Sequence, residues 1–392
     1  MNWPDVERVP RSPVRAAVAR RLFARAASRL SLEVELPGGV RPGTGPHMTL
    51  RRPGPFFHRV GAYGLIGLGE AYMAGDWDSP DLTALITEFA SRVGTLVPPR
   101  LQWVRRWYAR RSPDEGTIAG ARENIHRHYD LSNELFAAFL DETMTYSGAL
   151  FEDGDDLADA QRRKIDRLLD LAKVGPGSRV LEIGTGWGEL AIRAAARGAQ
   201  VLSVTISEEQ RKLAIQRVAD AGYADGVTIE LRDYRELDGA DDYDAIVSVE
   251  MIEAVGERYW PVYFEALDRL LAPGGRVALQ AITMPHDRMI ATRDTYTWVQ
   301  KYIFPGGLLP SAEALSAAMS ATTLRLAGQH AMGPDYARTL RLWRERFESA
   351  DLETLGFDAV FRRMWRFYLA YSEAGFRSGY LDVRQLLLER PS

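Results

Sequence analysis

Between residues 178 and 283, short apolar runs alternate with stretches whose apolar positions recur at helical spacing. Arg179–Ile183, Gln200–Thr205, Val227–Leu231, Ala245–Val249 and Arg276–Ala281 read as strands. Leu190–Arg197 and Glu208–Ala221 read as helices between them. Strand alternating with helix predicts an α/β fold, a mostly parallel sheet covered on both faces. Upstream, Val14, Ala17, Val18, Leu22, Phe23, Ala26 and Leu30 share a helical spacing, with Arg15, Arg20, Arg21, Arg25 and Arg29 largely elsewhere around the helix. A basic amphipathic helix suits an anionic membrane surface or the side of its own domain. Residues 31–60 read as short strands, Leu32–Leu36 and Met48–Arg51, broken at Pro37-Gly38-Gly39 and Pro53-Gly54-Pro55. Residues 61–96 read as helices interrupted at Gly75-Asp76-Trp77, with Ser79 or Asp81 as an N-cap. Residues 97–122 are basic and irregular, and a domain boundary is expected there, dividing 1–115 from 116–392. Residues 311–392 read as mostly helical.

Composition narrows the chemistry. The chain has 392 residues, no cysteine, six histidines and a net charge of −4. Disulfides, thiol nucleophiles and Cys-based metal sites are excluded, no metal is expected, and a reducing cytoplasm is. The charge balance argues against nucleic acid as a partner. No apolar run reaches the ~18 residues a membrane-crossing helix requires, and the first residues do not resemble a secretory leader. Membrane contact is therefore expected to be peripheral.

The sequence Val180-Leu181-Glu182-Ile183-Gly184-Thr185-Gly186-Trp187-Gly188 leads from a buried strand into a glycine turn and a helix. Glycines let backbone lie against a ligand, and the helix start aims N–H groups at it. A dinucleotide fingerprint needs a glycine where Glu189 stands, and an acid there would repel a pyrophosphate. Glu182 likewise suits a cation. S-adenosylmethionine carries an ammonium and a sulfonium and no phosphate, so Glu182, Gly184, Gly186 and Trp187 are read as its loop. The second strand ends without an acid, leaving Thr205 and Gln210 for the ribose hydroxyls. Asp233 is either an acceptor for the adenine amino group or a turn aspartate.

Beyond this loop the chain resembles the cyclopropane-fatty-acyl-phospholipid synthases. The resemblance rests on His128-Tyr129-Asp130-Leu131-Ser132-Asn133, Met144-Thr145-Tyr146-Ser147, the glycine motif, Val204–Ser207, Asp233-Tyr234-Arg235, Glu250-Met251-Ile252-Glu253 and Lys301–Gly307. Gly67–Gly75 extends it toward the N-terminus. It implies a Rossmann-like S-adenosylmethionine methyltransferase domain with helical additions, over about 284–392, and a small N-terminal α+β lipid-contacting domain. It also implies cofactor contacts from Tyr146, Ser147, Gly184, Gly186, Thr205 and Gln210, and a bound bicarbonate held by Glu253, the backbone at Ile282 and Tyr336. The family's usual Cys is Gly148 here and its usual His is Gln280, so that anion pocket is altered. The stretches 249–256, 280–285 and 371–376 resemble the branch that methylates oleoyl phospholipid toward tuberculostearic acid. That branch makes a 10-methylene chain, which a separate reductase saturates.

The implied partners are a bilayer surface at the inner face of the cell membrane and an unsaturated phospholipid acyl chain, with a homo-oligomer left open. An isolated alkene reacts only with a strong electrophile, in a site that aligns the reactants and excludes water. Attack leaves a carbocation. Immediate proton loss from the new methyl closes a cyclopropane, whereas a hydride shift first gives an exocyclic methylene. Glu253 is the expected catalytic carboxylate, against a helix-cap glutamate; Glu250 divides evenly between site and structure. Tyr336 is an anion donor or a core tyrosine, and His128 a site or a structural histidine. Trp298, Tyr302 and Phe304 line an acyl tunnel or simply pack. Leu65, Ile66, Leu68 and Tyr72 are docking candidates. Rival readings are a small-molecule methyltransferase and a non-catalytic lipid-binding relative.

Overall fold

The computed structural model describes residues 3–92 and 132–390, so His128 and the boundary expected at 115/116 lie outside the described residues. The chain divides into two compact units. One comprises Met1–Ser112, Asp294–Ile303 and Trp343–Tyr380; the other comprises Pro113–Arg293, Phe304–Leu342 and Leu381–Ser392.

The first unit contains a small sheet of β1 (Glu33–Leu36), β2 (Gly39–Arg41), β3 (His47–Leu50) and β4 (Trp77–Asp78), in the order β2-β1-β3-β4. Pro53 does not end a strand; it opens the helix Pro53–Tyr63. Proline is well placed in a first turn, where its missing N–H has no partner to lose. Asp81 caps the helix Leu82–Ser91 by accepting from the Ala84 N–H at 2.9 Å. In the helix Pro13–Arg29 the small residues Ala16, Ala19 and Ala27 face inward. Val14, Val18 and Leu22 are exposed, the reverse of an ordinary amphipathic surface helix.

The late segments belong to this unit by specific contacts. Arg363 pairs with Asp78 at 3.0 Å, and its guanidinium lies over the Tyr72 ring. Glu373, on the helix Ala359–Arg377, accepts from Thr83 Oγ1 at 3.2 Å and pairs with Arg344 at 3.2 Å. Tyr72 is fully buried against Trp77 and Phe367, which removes it from the docking candidates, while Leu65 stays exposed. Gly69 is small because the Trp298 indole stands 2.4 Å from where its Cβ would be.

The second unit is built on seven strands: β5 (Arg179–Ile183), β6 (Gln200–Thr205), β7 (Val227–Leu231), β8 (Tyr243–Val249), β9 (Leu271–Thr283), β10 (Arg325–Ala331) and β11 (Asp382–Glu389). Their order is β10-β11-β9-β8-β5-β6-β7, with β5 to β9 parallel and β11 antiparallel to both neighbours. Val180, Leu181, Ile246 and Val247 are buried in succession, as strands covered on both faces must be. The region expected to be mostly helical also supplies β10 and β11. Chain order reverses beside β5, and the crevice at the strands' carboxyl ends is where such sheets bind ligands.

Candidate active site

Gly184, Gly186 and Gly188 have φ of 96°, 52° and 91°, a backbone path that side chains oppose. The helix Glu189–Ala196 follows at once. Glu182 is buried, and its carboxyl accepts from Ser203 Oγ at 2.6 Å. Burial pushes its pKa up to about 8, so a cation arriving here would draw it into the charged form. At the end of β6, Thr205 Oγ1 donates to Gln210 Oε1 at 3.3 Å and accepts from the Ser207 N–H at 3.1 Å. Trp187 donates from Nε1 to Asn133 Oδ1 at 2.8 Å and packs on Phe136, which also packs on Tyr146. Tyr146 and Trp187 thereby share one aromatic wall. Asp233 has local partners. Both its oxygens take Arg235 nitrogens, at 2.8 and 2.7 Å, and it caps the turn Tyr234–Glu236.

The loop abuts a second cluster. A Cβ on Gly184 would meet Met251 Sδ at 2.7 Å, and Met251 separates Glu250 from the helix Ile252–Val255 that carries Glu253. Glu250 directly follows β8 with a φ of 51°, and its N–H donates to the Gln280 carbonyl at 2.7 Å. Its Oε1 accepts from the Gly148 N–H and from Gln280 Nε2, both at 2.9 Å. Its Oε2 accepts from the Tyr336 hydroxyl at 2.7 Å. Gln280 Nε2 also donates to the Gly148 carbonyl at 3.0 Å, and its Oε1 accepts from Gln385 Nε2 at 3.2 Å. Glu253 accepts from the Ile282 N–H through Oε1, while its buried Oε2 has no hydrogen-bond partner among the described residues.

Two buried carboxyls this close cannot both ionise cheaply. Burial raises Glu250, opposed by Lys164 and its three hydrogen-bond donors. Burial and the charge of Glu250 push Glu253 up to about 8. Of the two, Glu250 has the donors that favour a charged form, and Glu253 is the one held protonated. Lys164 is fully buried and donates to Ser147 Oγ at 2.6 Å; burial lowers it to about 8, against the pull of Glu250 and Asp141. Sequence reasoning missed Lys164. The available signal was its place on the buried stripe of Leu157, Ala160, Gln161, Ile165 and Leu168 in the helix Leu157–Leu171.

The segment Tyr146-Ser147-Gly148 thus runs from the cofactor wall to the acid cluster. Phe304 lies in this unit, at the start of a loop whose Leu308 N–H donates to the Glu253 carbonyl at 2.9 Å. Trp298 and Tyr302 lie in the first unit. There Trp298 packs on Phe367, and the Tyr302 hydroxyl donates to buried Glu70 at 2.9 Å. Their observed contacts are those of packing residues.

The residues fit S-adenosylmethionine: a glycine loop, a buried acid held by a hydroxyl, and an aromatic wall. They do not fit bicarbonate. The donors at Gly148, Gln280 and Tyr336 are spent on Glu250 and that of Ile282 on Glu253, so an added anion would face carboxylates.

Fold and loop define an S-adenosylmethionine-dependent methyltransferase. Residues 118–386 match the family model described as mycolic acid cyclopropane synthetase, and the chain belongs to that family. It is 56% identical to the tuberculostearic acid methyltransferase UfaA1 of Mycobacterium tuberculosis, across 99% of this chain and 95% of that protein. It is 36% identical to the cyclopropane-fatty-acyl-phospholipid synthase of Escherichia coli, across 86% of each. The solved mycolic acid cyclopropane synthase CmaA1, complexed with SAH and CTAB, superposes with a TM-score of 0.63 at 30% identity, covering 69% of this chain and 98% of that one.

Proposed function

We propose that this methyltransferase methylates the double bond of oleoyl-type phospholipid acyl chains and releases a 10-methylene chain. The observation that carries the reading is the buried acid cluster packed against the cofactor loop at Gly184–Met251. Methylation of oxygen or nitrogen needs a base at the nucleophile; methylation of an alkene needs one only afterwards, sheltered from water. The 56% identity to a tuberculostearic acid methyltransferase supports the same substrate class.

When bound, S-adenosylmethionine supplies an electrophilic methyl group on a sulfonium. Glu182, Thr205, Gln210 and the 184–188 turn hold that donor, with Tyr146 and Trp187 closing one side. The Glu250 carboxyl, whose three donors favour its anionic form, is placed to stabilise the acyl cation. The cation then loses a proton within the site. Bicarbonate is not part of this reading, because its donors already hold Glu250. The methylene product is itself an alkene, so a separate reductase would complete a methyl-branched chain.

The lipid must be reached at a surface. Among the described residues no helix is long and apolar enough to cross a membrane. Val14, Val18 and Leu22 share an exposed face with Arg21 and Arg25, which suits shallow insertion into an anionic leaflet, the cytoplasmic one in this reading.

The test is methylation of dioleoyl phospholipid vesicles by the purified protein, with products examined by proton NMR and ozonolysis. An exocyclic methylene gives vinylic signals and cleaves to a ketone. A cyclopropane, with upfield ring protons and no cleavage, would overturn the product assignment.

A further inference from the structure

The donors assigned by resemblance to a small anion converge on a side chain of the protein. Gly148, Gln280 and Tyr336 come from separate stretches of the chain, and all three donate to the Glu250 carboxylate. Glu250 reaches them from a left-handed backbone, φ 51°, which residues other than glycine rarely adopt and which collects at functional sites. Gln385 fixes the amide of Gln280 by donating to its oxygen, so the amide nitrogen faces Glu250. The carboxylate is largely enclosed, with both oxygens held by donors, which suits a base for a carbocation that must be kept from water.

We infer that Glu250 is the built-in proton acceptor of the reaction, standing where the synthases this chain resembles hold bicarbonate. The inference rests on the reading of the protein as an alkene-methylating enzyme. The new C–CH3 bond forms from the alkene π pair as the S–CH3 bond breaks, leaving a cation on the neighbouring carbon. A hydride moves from the methylated carbon to that neighbour. One C–H bond of the new methyl then breaks; its electron pair becomes the exocyclic double bond, and its proton passes to a Glu250 oxygen. The resulting carboxylic acid returns the proton to solvent before the next turnover. Glu253 keeps its own proton and so adds no second negative charge beside Glu250. Gly148, Gln280 and Tyr336 are positioning residues, and Lys164, behind Ser147, contributes positive charge.

The experiment compares wild type, Glu250→Gln and Glu250→Gly on oleoyl phospholipid vesicles in buffer stripped of carbon dioxide. Glycine suits the backbone at 250 and opens a carboxylate-sized space. Wild type is expected to run at the same rate with and without added bicarbonate. Both variants are expected to lose roughly 100-fold or more in rate, with SAH affinity unchanged by calorimetry. Added acetate or bicarbonate is expected to restore about tenfold or more to Glu250→Gly, a rescue a merely structural residue would not give. A wild-type rate that collapses without bicarbonate and returns with it overturns the inference. So does a Glu250→Gly variant that keeps most of its rate without added anion. Wild type inert toward the lipid sinks the substrate reading first, and this inference with it.

Discussion

The Tyr336 ring occupies the space that a side chain on residue 148 would need, its Cγ and Cδ1 standing 2.9 Å from where a Cβ would be. Gly148→Ala or Gly148→Cys must therefore displace the ring whose hydroxyl donates to Glu250. The expected cost is about 1–3 kcal/mol in stability and roughly 100-fold in kcat. Thermal unfolding and single-turnover assays measure the two; an alanine variant with wild-type kcat would show that the ring position does not matter.

Glu182 and Glu253 both have folded-state pKa values raised to about 8 from an ordinary 4.5. Each keeps its proton in the folded protein where the unfolded chain has released it. Their contribution to stability is thus fully present below about pH 4.5 and is lost as pH rises through about 8. The cofactor-free protein should weaken across that window by roughly 1 kcal/mol per pH unit per group. Urea unfolding at several pH values should show Glu253→Gln with a shallower decline than wild type; equal slopes would contradict the assignment.

A cationic ligand beside Glu182 should favour its ionised form. S-adenosylmethionine binding near pH 7 is accordingly expected to release a substantial fraction of one proton. Titration calorimetry in buffers of different ionisation enthalpy counts it, and Glu182→Gln should abolish the release. Proton uptake by wild type would contradict a neutral Glu182 in the free enzyme.

Replacing Val14, Val18 and Leu22 together by serine should weaken binding to anionic vesicles by tenfold or more, since each buried apolar side chain contributes roughly 1–2 kcal/mol. Salt should weaken wild-type binding as well, through the arginines of the same face. Co-sedimentation at two ionic strengths tests both, with SAH affinity unchanged as the control. Undiminished binding by the triple variant would place the docking face elsewhere.

Legibility followed burial. The inner strands β5, β6 and β8 stand out in the sequence because most of their residues are buried and apolar, whereas the edge strand β7 shows only an alternation of apolar and polar residues. β10 carries no such mark: it is exposed along nearly its whole length and interrupted by Gly328. The return of Ala359–Arg377 to the first unit rests on pairs such as Glu373 with Thr83, which no local pattern reveals. At the site, Glu253, Gln280, Gly148 and Tyr336 could be singled out one at a time. That the last three meet at Glu250 could not, because the meeting is made by residues from distant stretches of the chain. Asp233 could be read only as a turn former or an acceptor; its pairing with Arg235, two residues on, is a local contact the sequence did not single out.

The strand bearing Gln385 lies inside the sheet, between β9 and β10, although it follows every other strand in sequence. Until it docks, β9 has an open edge and nothing points the amide of Gln280. The cofactor loop is built without that strand and the acid cluster is not, so chemical competence depends on β11 being in place.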